Sequence, residues 1–110
     1  MITPQKEELL ENPAYDHFLK FVKERLITDS TDQTVRDEFA KIEAELERLR
    51  KLAQSQSQPQ KAQEQIGAFA RMFYRLFDLI GVHLLPAANS DTRAAYKKEE
   101  TRVDGGLAWS

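Results

Sequence analysis

The apolar side chains Val35, Phe39, Ile42, Leu46, Leu49 and Ala53 advance along the chain by 4, 3, 4, 3 and 4 residues. That is a heptad seam, the spacing of a helix packed lengthwise on another at a shallow angle. Acid-before-base pairs Asp37–Lys41 and Glu47–Lys51 lie four residues apart on its outer face, in the order that supports a helix. A second seam follows: Ala62, Ile66, Phe69, Phe73, Leu76 and Ile80 step by the same 4, 3, 4, 3 and 4. Between the two lies Gln54-Ser55-Gln56-Ser57-Gln58-Pro59-Gln60, which has no apolar side chain and reads as a helix–helix loop. Two matched seams on a short loop predict an antiparallel helical hairpin.

Upstream, Tyr15, Phe18, Leu19, Val22 and Leu26 form one apolar stripe with Phe21 beside it, predicting a helix from Pro13 to about Thr28 capped by Asn12. Thr3-Pro4 is a similar start signal, so a short helix is expected over 4–11 with a kink at Pro13. Ser30 and Gln33 have the spacing of a capping box for the next helix. Gly81 suits the position just past a helix end, and Pro86 closes the region. Beyond it the pattern turns polar. Asn89-Ser90-Asp91 predicts a short helix to about Arg102, and Asp104-Gly105-Gly106 a turn before Leu107-Ala108-Trp109-Ser110. The expected fold is all-α: a kinked N-terminal helix on a long antiparallel hairpin (1–86), followed by an extended polar C-terminal arm (87–110).

Composition narrows the chemistry. A length of 110 residues fits one small domain. The lack of Cys removes disulfides, thiolate metal sites and a cysteine nucleophile. A net charge of −2 argues against a dedicated nucleic-acid surface. The charge is uneven, with nine basic and twelve acidic side chains in the first 53 residues and four of each in the last 24. The most apolar stretch, 66–86, contains Arg71, Arg75, Asp78 and His83, so no transmembrane segment is expected, and the N-terminus lacks the apolar core of a signal peptide. A cytoplasmic location is the expectation, of a cell or of an infected cell.

No residue pattern points to catalysis, a cofactor or a metal. His17 follows Asp16, but neighbours on a helix point about 100° apart and make no dyad. His83 lies among Val82, Leu84 and Leu85 without a ligand-spaced partner. Glu43, Glu45 and Glu47 alternate with Lys41, Arg48, Arg50 and Lys51, which reads as a solvated charged face. Gly67 and Gly105-Gly106 form no phosphate loop.

Contact is the better-supported theme. Met72, Tyr74 and Phe77 lie outside the narrow seam of their helix, so either the rest of the chain or a partner must cover them. Leu107 and Trp109, after two glycines, suit a docking peptide. These five are the candidate protein–protein interface residues.

The run Asn12-Pro13-Ala14-Tyr15-Asp16-His17-Phe18, then Arg36, Phe39-Ala40-Lys41-Ile42, Leu46 and Leu49-Arg50, resembles small helical proteins of tailed bacteriophages across residues 9–52. The Arg-Gly that precedes the second apolar run in such proteins is absent. The resemblance implies a virion or accessory protein without enzymatic activity and assigns no site residues. The expectation is a non-enzymatic assembly or adaptor protein, a homo-oligomer or a subunit of a larger assembly. The alternative is a small acidic regulator that inhibits a host enzyme through the Glu38–Glu47 face.

Overall fold

Short polar side chains open each of the first two helices. A computed structural model of the chain describes residues 10–55 and 59–108. Helix α1 covers Pro13–Arg25: the Asn12 side-chain oxygen accepts the Ala14 N–H at 2.9 Å, and Pro13 sits where no N–H is needed. Helix α2 covers Gln33–Gln54 and is capped by Asp32, whose carboxylate accepts the Thr34 N–H at 2.7 Å. That bond holds the Asp32 carboxyl below its usual range. The expected capping box on Ser30 does not form. Its hydroxyl pairs with Thr28 instead, and the carboxylate two residues on takes the cap.

Helix α3 covers Pro59–His83, running through Gly81, which therefore does not end it. No described glycine has a positive φ, so neither Gly81 nor the later pair is used for a left-handed turn. A single 3-10 turn, Leu85–Ala87, leads to helix α4, Ser90–Leu107, whose cap Asn89 accepts the Thr92 N–H at 2.8 Å. The described residues are thus all-helical, with four α-helices and no strand. The short helix expected over 4–11 lies almost wholly outside the described residues, and Trp109 lies outside them entirely.

The extended arm is the main correction. Residues 90–107 form a continuous helix packed on α1, and its Tyr96, Val103 and Leu107 belong to the core. Sparse apolar side chains are enough here because three large ones fall on one face. The Gly105-Gly106 pair, expected as a turn, is helical. Gly106 is buried where a methyl group would lie 2.9 Å from Asn12 Nδ2 and 3.2 Å from the Tyr15 hydroxyl. The glycine serves close approach of two helices, not flexibility.

Cross-helix pairs fix the directions. Asp16 meets Arg50 and Lys23 meets Glu43, so seven steps forward in α1 match seven back in α2. Glu38 meets Arg75 and Arg48 meets Gln65, ten steps against ten, so α2 and α3 are antiparallel. Helices α1 and α4 are antiparallel too, Arg25 meeting Thr92 at one end and Tyr15 meeting Gly106 at the other. The result is an up-down-up-down bundle of four helices. Its centre is aromatic. Phe73, fully buried, packs against Tyr15, Phe18, Phe69 and Phe77 with ring centroids 5.1–5.9 Å apart. Such pairs add about 0.5–1.5 kcal/mol beyond burial.

Candidate protein-binding groove

Between α3 and α4 two sets of side chains at helical spacing face one groove. Tyr74, Phe77 and Asp78 come from α3, and Lys97, Glu100, Thr101 and Asp104 from α4. They line an open groove of about 360 Å³. Three carboxylates face one ammonium, and that ammonium is already held by Glu100, at 3.1 Å. The Thr101 hydroxyl turns back to the Lys97 carbonyl at 2.8 Å. Tyr74 stands 40 % exposed at the rim, its ring edge-on to Phe77 with centroids 5.9 Å apart. Burial first, then the neighbouring Asp104 carboxylate, pushes the phenol above its ordinary value.

On the same helix as Asp104, facing α1, Tyr96 is 1 % exposed with its ring against Phe18 and Phe21. Its hydroxyl is buried and has no hydrogen-bond partner among the described residues. Burial pushes this phenol far up, and the carboxylates of Glu100 and Asp78 push it the same way. Both carboxylates line the groove, whereas Tyr96 itself does not.

A larger groove, about 580 Å³, runs between α1 and α2 but is electrically balanced. Arg50 pairs with Asp16, Lys23 with Glu43 and Lys51 with Glu47, while Lys20 and Glu24 cancel on one face. The Glu38–Glu47 face is likewise occupied by its own cations: Glu38 sits between Lys41 and Arg75, and Glu45 pairs with Arg48. The α3–α4 groove is therefore where acidic side chains outnumber their partners.

The candidates from sequence separate in the structure. Tyr74 is exposed on the groove, and Phe77 forms its inner wall but is only 9 % exposed, covered by Phe18. Met72 lies on the other side of α3, half-buried in a hollow with Lys41, Ala44, Glu45 and Arg48. Leu107 is 3 % exposed, so this part of the expected docking arm is core and is not available to a partner. His17 lies near Pro13, Ala14 and Arg102, away from the groove. His83 is exposed at the far end of α3. Among the described residues no three His, Asp or Glu side chains are arranged to hold a metal ion. Sequence reading missed Asp78, Glu100 and Asp104 as a group. The i, i+3, i+4, i+7 spacing of Lys97, Glu100, Thr101 and Asp104 was the available signal, and it counts only if the helix continues into Gly105.

Comparison of the chain with protein-family models, curated proteins and solved structures gives no match in any of the three. None of the described helices is long and apolar enough to cross a membrane.

Proposed function

We propose that this chain is a non-enzymatic assembly or adaptor protein that works by presenting one side of its bundle to another protein. The setting is the bacteriophage particle implied by the resemblance over residues 9–52. The observation that carries the reading is the α3–α4 groove, where an exposed tyrosine stands beside three carboxylates and a single lysine. Tyrosine offers a large, stiff contact area at little entropic cost and is favoured at the centre of interfaces. The helices on either side hold it at fixed spacing, so the surface is ready before a partner arrives.

Two measurements test this. Light scattering on the full chain, from micromolar to several hundred micromolar, reads self-association of the wild type and of Tyr74→Arg. A photo-reactive benzophenone side chain at position 74, in cells assembling the particle, reads contact with a particle protein. An oligomer dissolved by Tyr74→Arg supports self-assembly through this face, and a cross-link to a particle protein supports a subunit role. A monomer that gives no cross-link from position 74 overturns the proposal.

A further inference from the structure

Helix α4 is held to the bundle differently from the other three. We propose that α4 is a strap that undocks and unfolds as one unit while α1, α2 and α3 stay folded, and that its docking assembles the α3–α4 groove. The opening needs no partner, whereas the control of the groove rests on the contact reading above. Ion pairs tie the first three helices together: Asp16 with Arg50 and Lys23 with Glu43 join α1 to α2, and Glu38 with Arg75 joins α2 to α3. Those of α4 stay within it, Lys97 with Glu100 and Arg102 with Glu99, so among the described residues none crosses to a neighbour. The one hydrogen bond between α4 and α1 among the described residues, Arg25 to the Thr92 hydroxyl, is long at 3.4 Å. Docking also leaves polar groups unsatisfied. Three side-chain polar atoms among the described residues are buried without a partner, and two of them, the Tyr96 hydroxyl and Glu99 Oε2, belong to α4. Each gives up water on docking and gains no bond in exchange, and undocking returns the water.

The geometry lets α4 leave alone. Helix α1 keeps its own hold on the rest: Arg50 bonds to the Leu10 carbonyl at 2.7 Å as well as to Asp16, and Phe18 packs edge-on against Phe73 and Phe77 of α3. Between His83 and Ser90 the chain has only the single 3-10 turn, and Pro86 and Ala87 are exposed, so the pivot lies there. Helix α4 places just three large apolar side chains in the core, Tyr96, Val103 and Leu107. Once it is off α1, little holds an 18-residue helix with two glycines together in water. Undocking takes Lys97, Glu100 and Asp104 away from Tyr74 and Asp78, which dismantles the groove.

The test is residue-resolved amide hydrogen exchange on the full wild-type chain across low urea concentrations. Expected is one shared opening for the amides of 96–103, populated at least about tenfold more than the opening of the central amides of α1, α2 and α3. Ile42→Val, fully buried in α2, should speed exchange in α1–α3 and leave 96–103 unchanged, because a strap that opens by itself does not feel the stability of the whole. The chain has no Cys, so Val103→Cys and Val35→Cys each carry a single thiol where a fully buried valine stood. A disulfide reagent should reach position 103 at least about tenfold faster. The exchange measurement on wild type stands even if a cysteine variant fails to fold. Exchange of 96–103 no faster than that of α2 and α3, a gradient from the C-terminal end in place of one shared opening, α1 opening with α4, or parallel acceleration in Ile42→Val would each overturn the strap. Val103→Ala, which favours the undocked form, should lower the cross-link from position 74, and an undiminished cross-link overturns the control of the groove. A cross-link in a chain whose α4 opens only with the whole fold sinks the strap and leaves the contact reading standing. A strap that opens with no cross-link does the reverse.

Discussion

A methyl group built on Gly105 meets nothing within 4 Å, whereas one on Gly106 lies 2.9 Å from Asn12 Nδ2 and 3.2 Å from the Tyr15 hydroxyl. The two neighbours therefore respond oppositely to alanine. Gly105→Ala gains helix propensity and stabilises by about 0.5–1 kcal/mol. Gly106→Ala gains the same propensity but pushes on Asn12, whose other side-chain atom caps α1. The amide cannot swing away without losing that cap, so a net loss of about 1 kcal/mol is expected. Urea unfolding of the two variants reads the signs, and equal signs would refute the close-approach account. The tyrosines give a second residue-scale prediction. Burial pushes Tyr15 up to about 12 and Tyr96 in the same direction. A phenol whose folded value is raised contributes fully below its ordinary value near 10, and the contribution is lost as pH climbs through the raised one. Unfolding free energy should fall between pH 10 and 12, less steeply in Tyr15→Phe, as pH-dependent urea titrations would show. In Tyr96→Phe an orphan hydroxyl disappears, so stability at pH 7 should hold or rise.

The C-terminal part of α2 holds the entry to α1 through one side chain. Arg50 donates to the Leu10 carbonyl at 2.7 Å and grips both Asp16 oxygens at 2.7 and 2.9 Å. Lysine cannot reproduce that fork, so Arg50→Lys should cost about 1–2 kcal/mol despite keeping the charge. The Arg50 hydrogen bond holds the Asp16 carboxyl below its ordinary 3.8. Its contribution is present above 3.8 and is lost as pH falls through the lowered native value. Because Asp16 is half-exposed, solvent screening keeps that contribution near or below about 1 kcal/mol. The stability gap between wild type and Asp16→Asn should close in acid, and a constant gap from pH 6 to pH 2 would contradict the pairing. Elements differ in how plainly they were written. Helices α2 and α3 were legible because an apolar residue recurs every three or four positions. Helix α4 was half legible: Asn89-Ser90-Asp91 announces its start, but Tyr96, Val103 and Leu107 lie seven and four residues apart, with no large apolar side chain between them. Its end was hidden by two glycines, one of which is there for packing.

At the scale of the molecule, α4 completes the core. Deleting residues 103–110 removes Val103 and Leu107, each worth about 1.5–3 kcal/mol of burial, from a fold of ordinary marginal stability. The expected result is a lower melting temperature and reduced helical circular dichroism. An unchanged melt would mean that this end is peripheral, as the polar pattern first suggested. The candidate groove was not legible for a related reason. Its two walls are some twenty residues apart in sequence, and neither Asp78 nor Glu100 is unusual until the helices that carry them are docked. Only Tyr74 and Phe77 were visible, as aromatics with no place in their seam.

The pairing of α1 with α4 also orders events in time. Arg25 and Thr92, which touch at one end of that pair, are 67 residues apart in the chain. On a ribosome, α1 emerges early; Phe73 and Phe77 of α3 can reach Phe18, but the side it shares with Phe21 stays uncovered until Tyr96 follows. Helices α2 and α3 can close on each other as soon as both are out, but the bundle cannot shut before α4 arrives. During that interval the nascent chain exposes an aromatic surface, the stage at which a chaperone would find it.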